Sequence, residues 1–558
     1  MGHRVQESRS NRSHLSVSRW LTSVLIGLCL ILLSPLSAQA TVSPANGPST
    51  GGTAVTIDAM RFTQVSAGLD HTVALALDGT VWTWGNNDSG QLGDGSTQPS
   101  AVPVKVKGIG GTGYLENVTQ VSAGSAYSVA ITSSGVVSWG HNQFGQLGTG
   151  TTAGAGDFSS VPVRVVNVFG EPGTYLTNVT SVVCGNTTVF ANTSQGLIAW
   201  GFGANGQLGN GTTVNDQATP VWVLGPGSVP NSRLLGVTQY AAGANHVLAI
   251  TPSGVVAWGP DDYGQLGNGG TSAQQRPVFV HTSQSDSSPV TNAMAVAAGN
   301  GKSLMVTPIG VFAWGNNQFG KIGIGSATSI IPYPTRVVNY SGGSGQYLQG
   351  VSSISANGSN LYAVTSQGLY SWGMNAFGES GTGTQGDVDI PTLAINPVGN
   401  GPYAVAEVSA GAEFVIFKTS GFFYTAGRNN NGQLGQGTFT AFIDTQNYSP
   451  HLSGNFQPGS VLFGTLAGSS LSSTGDQWSV VSPSQGTGTV NLVGTANVYG
   501  GTTAGTPATV SWSAGTYTYE AALANTGSAV IIPLGLVSAG AVLLGVVLLV
   551  VLRRYQLR

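Results

Sequence analysis

Charge is sparse in this 558-residue chain: Asp, Glu, Lys and Arg together make 7% of it, against about 25% in ordinary soluble domains. Cysteine is scarcer, with Cys29 and Cys184 alone. Cys29 lies in a segment read below as a removed leader, so no intramolecular disulfide is expected and Cys184 reads as a small buried residue. Leu28 stands where a lipidated cysteine needs a small residue, which argues against lipoprotein processing. No HExxH motif, CxxC pair, Gly-x-Ser-x-Gly elbow or Walker loop occurs. The runs Asn86-Asn87-Asp88 and Asn429-Asn430-Asn431 lack the carboxylate spacing of a calcium loop and read as turns. The expectation is a protein without catalytic residues, cofactor or metal.

Few basic residues survive once both ends are set aside. Between residues 41 and 526 the chain keeps 11 Lys and Arg against 20 Asp and Glu, a net charge of −9 with His neutral. Such a surface repels phosphate backbones, so nucleic acid is not an expected partner.

Glycine, by contrast, is abundant at 84 residues, and much of it belongs to a repeat. Trp-Gly recurs at Trp84, Trp139, Trp200, Trp258, Trp314 and Trp372, with Ala426 in the Trp place of a seventh copy. Six residues after each comes a Gly-x-x-Gly box: GQLG from Gly90, Gly145, Gly206, Gly264 and Gly432, GKIG from Gly320 and GESG from Gly378. A VSAG-like segment precedes each Trp place. Within a copy, short Val-, Ile- and Thr-rich segments alternate with Gly, Asn and Ser, which is the chemistry of strands and turns. Four strands per copy of 54 to 61 residues predict a propeller blade, and seven copies predict a seven-bladed ring over 60–452. Trp then fills the space between blades, and Gly serves turns and close approaches.

The pattern VSAG, His, Ala-Leu or Ala-Ile, Trp-Gly, Gly-Gln-Leu-Gly and Pro-x-x-Val resembles the regulator of chromosome condensation repeat. The resemblance implies the seven-bladed fold, and it implies that His71 and His246, at equivalent places, serve internal hydrogen bonding. It does not carry over the nuclear exchange activity of that family. Ala426 and the GESG box depart from the pattern, so the last two blades are expected to be looser.

Residues 1–40 read as a secretion signal. Arg4, Arg9, Arg12 and Arg19 precede an apolar run from Trp20 to Leu33, and Ala38-Gln39-Ala40 offers a cleavage site after Ala40. At the other end, Leu523-Ala524-Asn525-Thr526-Gly527 is followed by an uncharged run over 529–552 and a basic tail. That order resembles a Gram-positive cell-wall sorting signal of the Leu-Ala-x-Thr-Gly kind. It implies that a sortase cleaves after Thr526 and joins it to peptidoglycan. Without sorting, the run would be a single-pass membrane anchor with a cytoplasmic tail. Residues 41–58 resemble the opening of an immunoglobulin-like domain of the transcription-factor type (IPT/TIG), whose later strands match 460–520. The fold class expected is therefore all-β, a propeller inserted into a small immunoglobulin-like sandwich.

The residue before the box is aromatic in four copies, at Phe144, Tyr263, Phe319 and Phe377. These four are candidates for a binding rim toward a protein or glycan ligand; packing on the neighbouring blade is the structural alternative. The loops around Tyr114, Tyr175 and Tyr347 are the competing contact region. The function expected is a secreted, anchored bacterial surface protein with a non-catalytic binding or adhesion propeller. An inhibitor of an extracellular enzyme is the alternative.

Overall fold

Seven four-stranded antiparallel sheets succeed one another along the chain, one per repeat. The structure, a computed structural model, describes residues 62–439 apart from short breaks at 153–156, 171–172, 228, 230–231, 319–320, 327, 340–345, 396–404, 420–422, 436 and 438. It also describes the backbone of strands lying within 42–58, 442–443 and 456–520. Blade 1 holds strands Phe62–Ala67, His71–Ala76, Val81–Gly85 and Ser100–Lys105. Blades 2 to 7 span 118–164, 179–222, 239–279, 295–336, 351–393 and 405–443 in the same order. A 3-10 turn spans Ile109–Gly111.

The Gly-x-x-Gly box explains how blades join. In GQLG of blade 1, Gly90 has φ +71°, and a Cβ there would stand 2.6 Å from the Ser160 Cα in the outer strand of blade 2. Only Gly tolerates both conditions. The Gln91 carbonyl accepts the indole N–H of Trp139 in blade 2 at 2.9 Å. Leu92 is buried in the core. A Cβ at Gly93 would lie 2.7 Å from the Trp139 ring, so this glycine makes room for the indole. Both glycines and the Gln carbonyl of the box thus face the next blade, and the same carbonyl accepts an indole N–H at Gln146 from Trp200, at Gln207 from Trp258 and at Gln265 from Trp314.

The ring closes by the same contact. Gln433 of blade 7 accepts from Trp84 of blade 1 at 2.9 Å, and Gly432 abuts Ala101 of blade 1. Every blade is built from one continuous stretch, so closure needs no exchanged strand. All six Trp side chains are fully buried, and truncating such a side chain typically costs about 3–5 kcal/mol.

The seam between blades 6 and 7 is filled differently. Ala426 leaves the indole volume vacant, and Tyr362, in the second strand of blade 6 where other blades carry Val73, Val129 or Leu304, is fully buried among Val364, Val408 and Ala426. Its hydroxyl donates to the Glu379 carbonyl at 2.9 Å, the group that would otherwise receive an indole N–H. The expected looseness is met here by a substitute side chain. One seam earlier, Trp372 Nε1 has no hydrogen-bond partner among the described residues, and Lys321 holds the Gln place of its box.

Outside the ring, Ala54–Asp58 pairs antiparallel with Gln477–Val481, and Asn46–Pro48 runs parallel to Ala508–Glu520. Backbone ladders therefore join the stretch before the ring to the stretch after it. The leader 1–40 with Ala38 and Ala40, the motif Leu523 to Gly527 and the run 529–552 lie outside the described residues. Among those described, no helix is long and apolar enough to cross a membrane.

Candidate binding surface

In each blade the turn between the first two strands and the loop before the outer strand emerge at the same end of the ring. Backbone bonds tie them together: Asn86 N donates to Asp70 O, His141 N to Ala126 O, Asn316 N to Gly301 O and Arg428 N to Glu413 O, at 2.7–2.9 Å. The turns also link around the axis, with Ser125 N on Asn186 O and Asn300 N on Gly358 O. They surround a recess of about 210 Å³ whose lining includes Leu69, Asn186, Asn300, Met374, Glu379 and Glu413. We call this end the mouth.

Charge is distributed unevenly between the two ends. The mouth loops carry Asp70, Asp88, Asp94, Asp261, Asp262, Glu379 and Glu413, and their few cations are engaged. Lys302 Nζ donates to Ser359 O at 2.6 Å, Lys321 pairs with Asp387 at 2.7 Å and Arg428 pairs with Glu413 at 2.5 Å. Burial pulls the Lys302 ammonium down to about 8, helped by the positive charge of Lys321. Glu379 is buried, which raises its pKa, and the Glu413 charge adds to the effect. Asp70 is raised by burial against the lowering pull of Arg428. The mouth is an acidic recess in which burial makes the carboxyls of Glu379 and Asp70 harder to ionise.

Three of the four rim aromatics fall within the described residues, and each leans on the next blade. Phe144 packs against Phe202, ring centroids 4.9 Å apart. Phe377 lies under the Arg428 guanidinium at 5.6 Å. Tyr263 borders Gly301 of blade 5 and is 38% exposed. Phe319 lies outside the described residues. The main-chain N–H groups of Phe144, Tyr263 and Phe377 donate to the box side chains Gln146, Gln265 and Glu379 two residues on, which fixes the loops.

His71 and His246 are buried in the seams. Each Nε2 bonds a hydroxyl of the next blade, Ser128 at 3.0 Å and Ser303 at 2.8 Å. Those hydroxyls donate in turn to Gln91 O and Gln265 O, the same carbonyls that receive the indoles. Burial lowers His71 to about 4 and His246 to about 3, so both are neutral at pH 7. Cys184 is buried with its thiol on Ser122 O at 3.5 Å, and burial pushes it up to about 12, outside the range of a nucleophile. Asn87 Oδ1 and Asn429 Oδ1 accept from Leu92 N and Leu434 N, as turn residues do. No group of three or more His, Cys, Asp or Glu among the described residues is placed to hold a metal.

The opposite end carries a pattern that the one-dimensional repeat concealed. Just beyond the outer strands of blades 1, 2, 3 and 5 the chain forms an isolated bridge: Lys107 with Tyr114, Val166 with Tyr175, Leu224 with Arg233 and Val338 with Tyr347. The residue two before the first bridge partner stacks on the second as a cation and an aromatic: Lys105 on Tyr114, Arg164 on Tyr175, Arg336 on Tyr347. The blades differ in loop length here, so a fixed offset from Trp could not reveal these pairs. The chain also enters the ring at this end, where Phe62 pairs with Ala76.

A closed ring of seven such blades, with an acidic mouth and seams made by Gly-Gln-Leu-Gly and Trp, defines a propeller of the chromosome-condensation-regulator type. The chain belongs to the RCC1-like domain family, whose model matches residues 112–472, and models of the regulator of chromosome condensation (RCC1) repeat match 78–131 and 62–91. It is similar to the ultraviolet-B receptor UVR8 of Arabidopsis thaliana, 29% identical over 391 residues that cover 69% of this chain and 80% of that protein. The human E3 ubiquitin-protein ligase HERC2 is 34% identical over 225 residues, 39% of this chain and 4% of that protein. This chain therefore spans a small part of the ligase. Among solved structures, human WBSCR16 aligns with a TM-score of 0.53 at 19% identity, over 73% of this chain and 99% of that one. Yeast RCC1 (Prp20) bound to Kap60 aligns with a TM-score of 0.53 at 17% identity, over 87% and 96%. These structures share the fold. Within the family, propellers of this kind are binding or regulatory modules.

Proposed function

We propose that the chain is a surface-displayed bacterial binding protein whose mouth-end loops make the contact and whose ends hold it at the cell wall. One observation carries the binding part. The seam histidines, serines and box carbonyls are tied up between blades, whereas the mouth gathers an acidic recess, asparagines and the half-exposed Tyr263. The chemistry fits a protein or glycan ligand with cationic or hydrogen-bonding groups. The entry of the chain supports the display. Phe62 starts the ring at the end opposite the mouth, and the stretch just before it is paired with Gln477–Val481, so an anchor following that stretch would turn the mouth outward.

The ladders between 42–58 and 456–520 support a split immunoglobulin-like domain at the base of the ring. The leader, with cleavage after Ala40, and the motif Leu523 to Gly527 rest on the sequence. Sortase would take Thr526 as the acyl donor and pass it to a peptidoglycan amine, with 529–552 holding the substrate at the membrane meanwhile. Fractionation of cells carrying Thr526→Ala tests the anchoring. The variant is expected in membrane or medium, and unchanged wall attachment would overturn the sortase reading.

A further inference from the structure

The loops before the outer strands share an internal brace, and blade 4 changes its chemistry. In five blades an Asn side chain spans the loop. Its Oδ1 accepts the N–H five residues on, from Asn87 to Leu92, Asn142 to Leu147, Asn317 to Ile322, Asn375 to Ser380 and Asn429 to Leu434, at 2.9–3.1 Å. The amide nitrogen donates to the carbonyl nine residues on: Asn87 to Ser96 O, Asn142 to Thr151 O, Asn317 to Ser326 O and Asn375 to Thr384 O. One atom accepts and the other donates.

Blade 4 carries Asp261 at this place. Its Oδ1 accepts Leu266 N at 2.9 Å as in the others. The second oxygen stands where the amide nitrogen would be, on a side chain with no exposed surface, and it has no partner. An ionised oxygen cannot donate to a backbone carbonyl, whereas a protonated one can, which makes the carboxylic acid the working equivalent of the amide. We propose that Asp261 is a proton-operated latch: the loop 260–273 is braced when Oδ2 carries a proton and loosens when the carboxyl ionises.

Other observations agree with the latch. Burial raises Asp261 to about 7, with the neighbouring Asp262 the one charged group that adds to the rise and the Leu266 N–H opposing it. An acid whose pKa is higher in the closed loop than the ordinary 3.8 favours closure below about pH 4. Closure weakens as pH rises from 4 to about 7 and changes no further above that. The loop bears Tyr263, and Gln265 O within it holds Trp314 and Ser303 of blade 5. If the mouth is the contact face, as proposed above, contact through Tyr263 is favoured in mildly acid surroundings. The latch itself does not depend on that reading.

Hydrogen exchange of the full chain, corrected for intrinsic rates, tests it at pH 5 and pH 8.5. In the unsubstituted protein, amides of 261–273 are expected to lose protection at the higher pH by on the order of tenfold or more. Asp261→Asn is expected to keep it at both. An equal response in the two proteins would overturn the latch, as would restoration of wild-type protection at pH 8.5 by calcium, which would put a metal in place of the proton. Should Asp261→Asn fail to fold, the carboxyl carbon shift of Asp261 decides. Titration near 7 supports the latch and titration at 4 or below overturns it.

Discussion

Arg233 stacks on Trp222 with its guanidinium carbon 3.8 Å from the ring centroid, and the pair is Arg164 on Tyr175 with the partners exchanged. Trp222 holds the place of Arg164 at the end of an outer strand, and Arg233 that of Tyr175 across the isolated bridge. Either order gives the same attraction between a cation and an aromatic face, so the contact is kept while both residue types change.

That exchange gives the first prediction. Arg233→Ala should lower stability by about 0.5–1 kcal/mol, the usual worth of a partly exposed stack, read by urea unfolding. The double variant Trp222→Arg with Arg233→Tyr restores the order found in the neighbouring blade and should recover most of the loss. A double variant less stable than either single change would show that the pairs are incidental.

Tyr362 and Ala426 give the second. Tyr362→Phe leaves the Glu379 carbonyl without its donor and should cost about 1 kcal/mol. Ala426→Trp alone should overpack the seam and destabilise by about 1–3 kcal/mol. Ala426→Trp combined with Tyr362→Val rebuilds the seam used between the other blades and should be milder than the single change. Strict additivity of the two substitutions would mean that they do not share one space.

The repeat made the ring legible because its spacing is local and its residues do one job each. Trp, box glycine and box glutamine stand at fixed offsets, and their interblade geometry is the offset expressed in space. Tyr362 was hidden for the opposite reason. Its value depends on what is missing 64 residues later at Ala426, and no pattern within one repeat shows that. The rim aromatics were visible as a repeated type, yet their lean onto the next blade is a property of two blades together. In the sequence Asp261 is one acidic residue in a loop. It stands out only against five asparagines with their partners assigned.

The buried histidines give a third prediction, with a definite sign. His71 and His246 are neutral in the fold, with pKa values of about 4 and about 3 against an ordinary 6.5. Protons therefore bind the unfolded chain more readily, so stability is complete above pH 6.5 and falls as pH drops from there toward 4 and 3. Each histidine should contribute a loss on the order of 3 kcal/mol at the acid end. Asp261 works in the opposite direction between about 4 and 7, so the comparison is between variants. His246→Gln should flatten the acid limb of the melting temperature against pH, and an unchanged limb would mean that this histidine is not held neutral.

The contact face is the central claim, and substituting its aromatics tests it most directly. Phe144, Tyr263, Phe319 and Phe377 are changed together to Ser in the full chain, with Tyr114, Tyr175 and Tyr347 changed to Ser in a second variant as the opposite-end control. Capture of surface ligands by the two is compared while melting is monitored. Hot-spot aromatics contribute about 2 kcal/mol or more each, so engagement of two is enough to abolish capture. The account predicts loss of capture in the mouth variant with the fold retained, and capture preserved in the control. Full capture by a folded mouth variant, with loss in the control, would place the contact at the opposite end and contradict it.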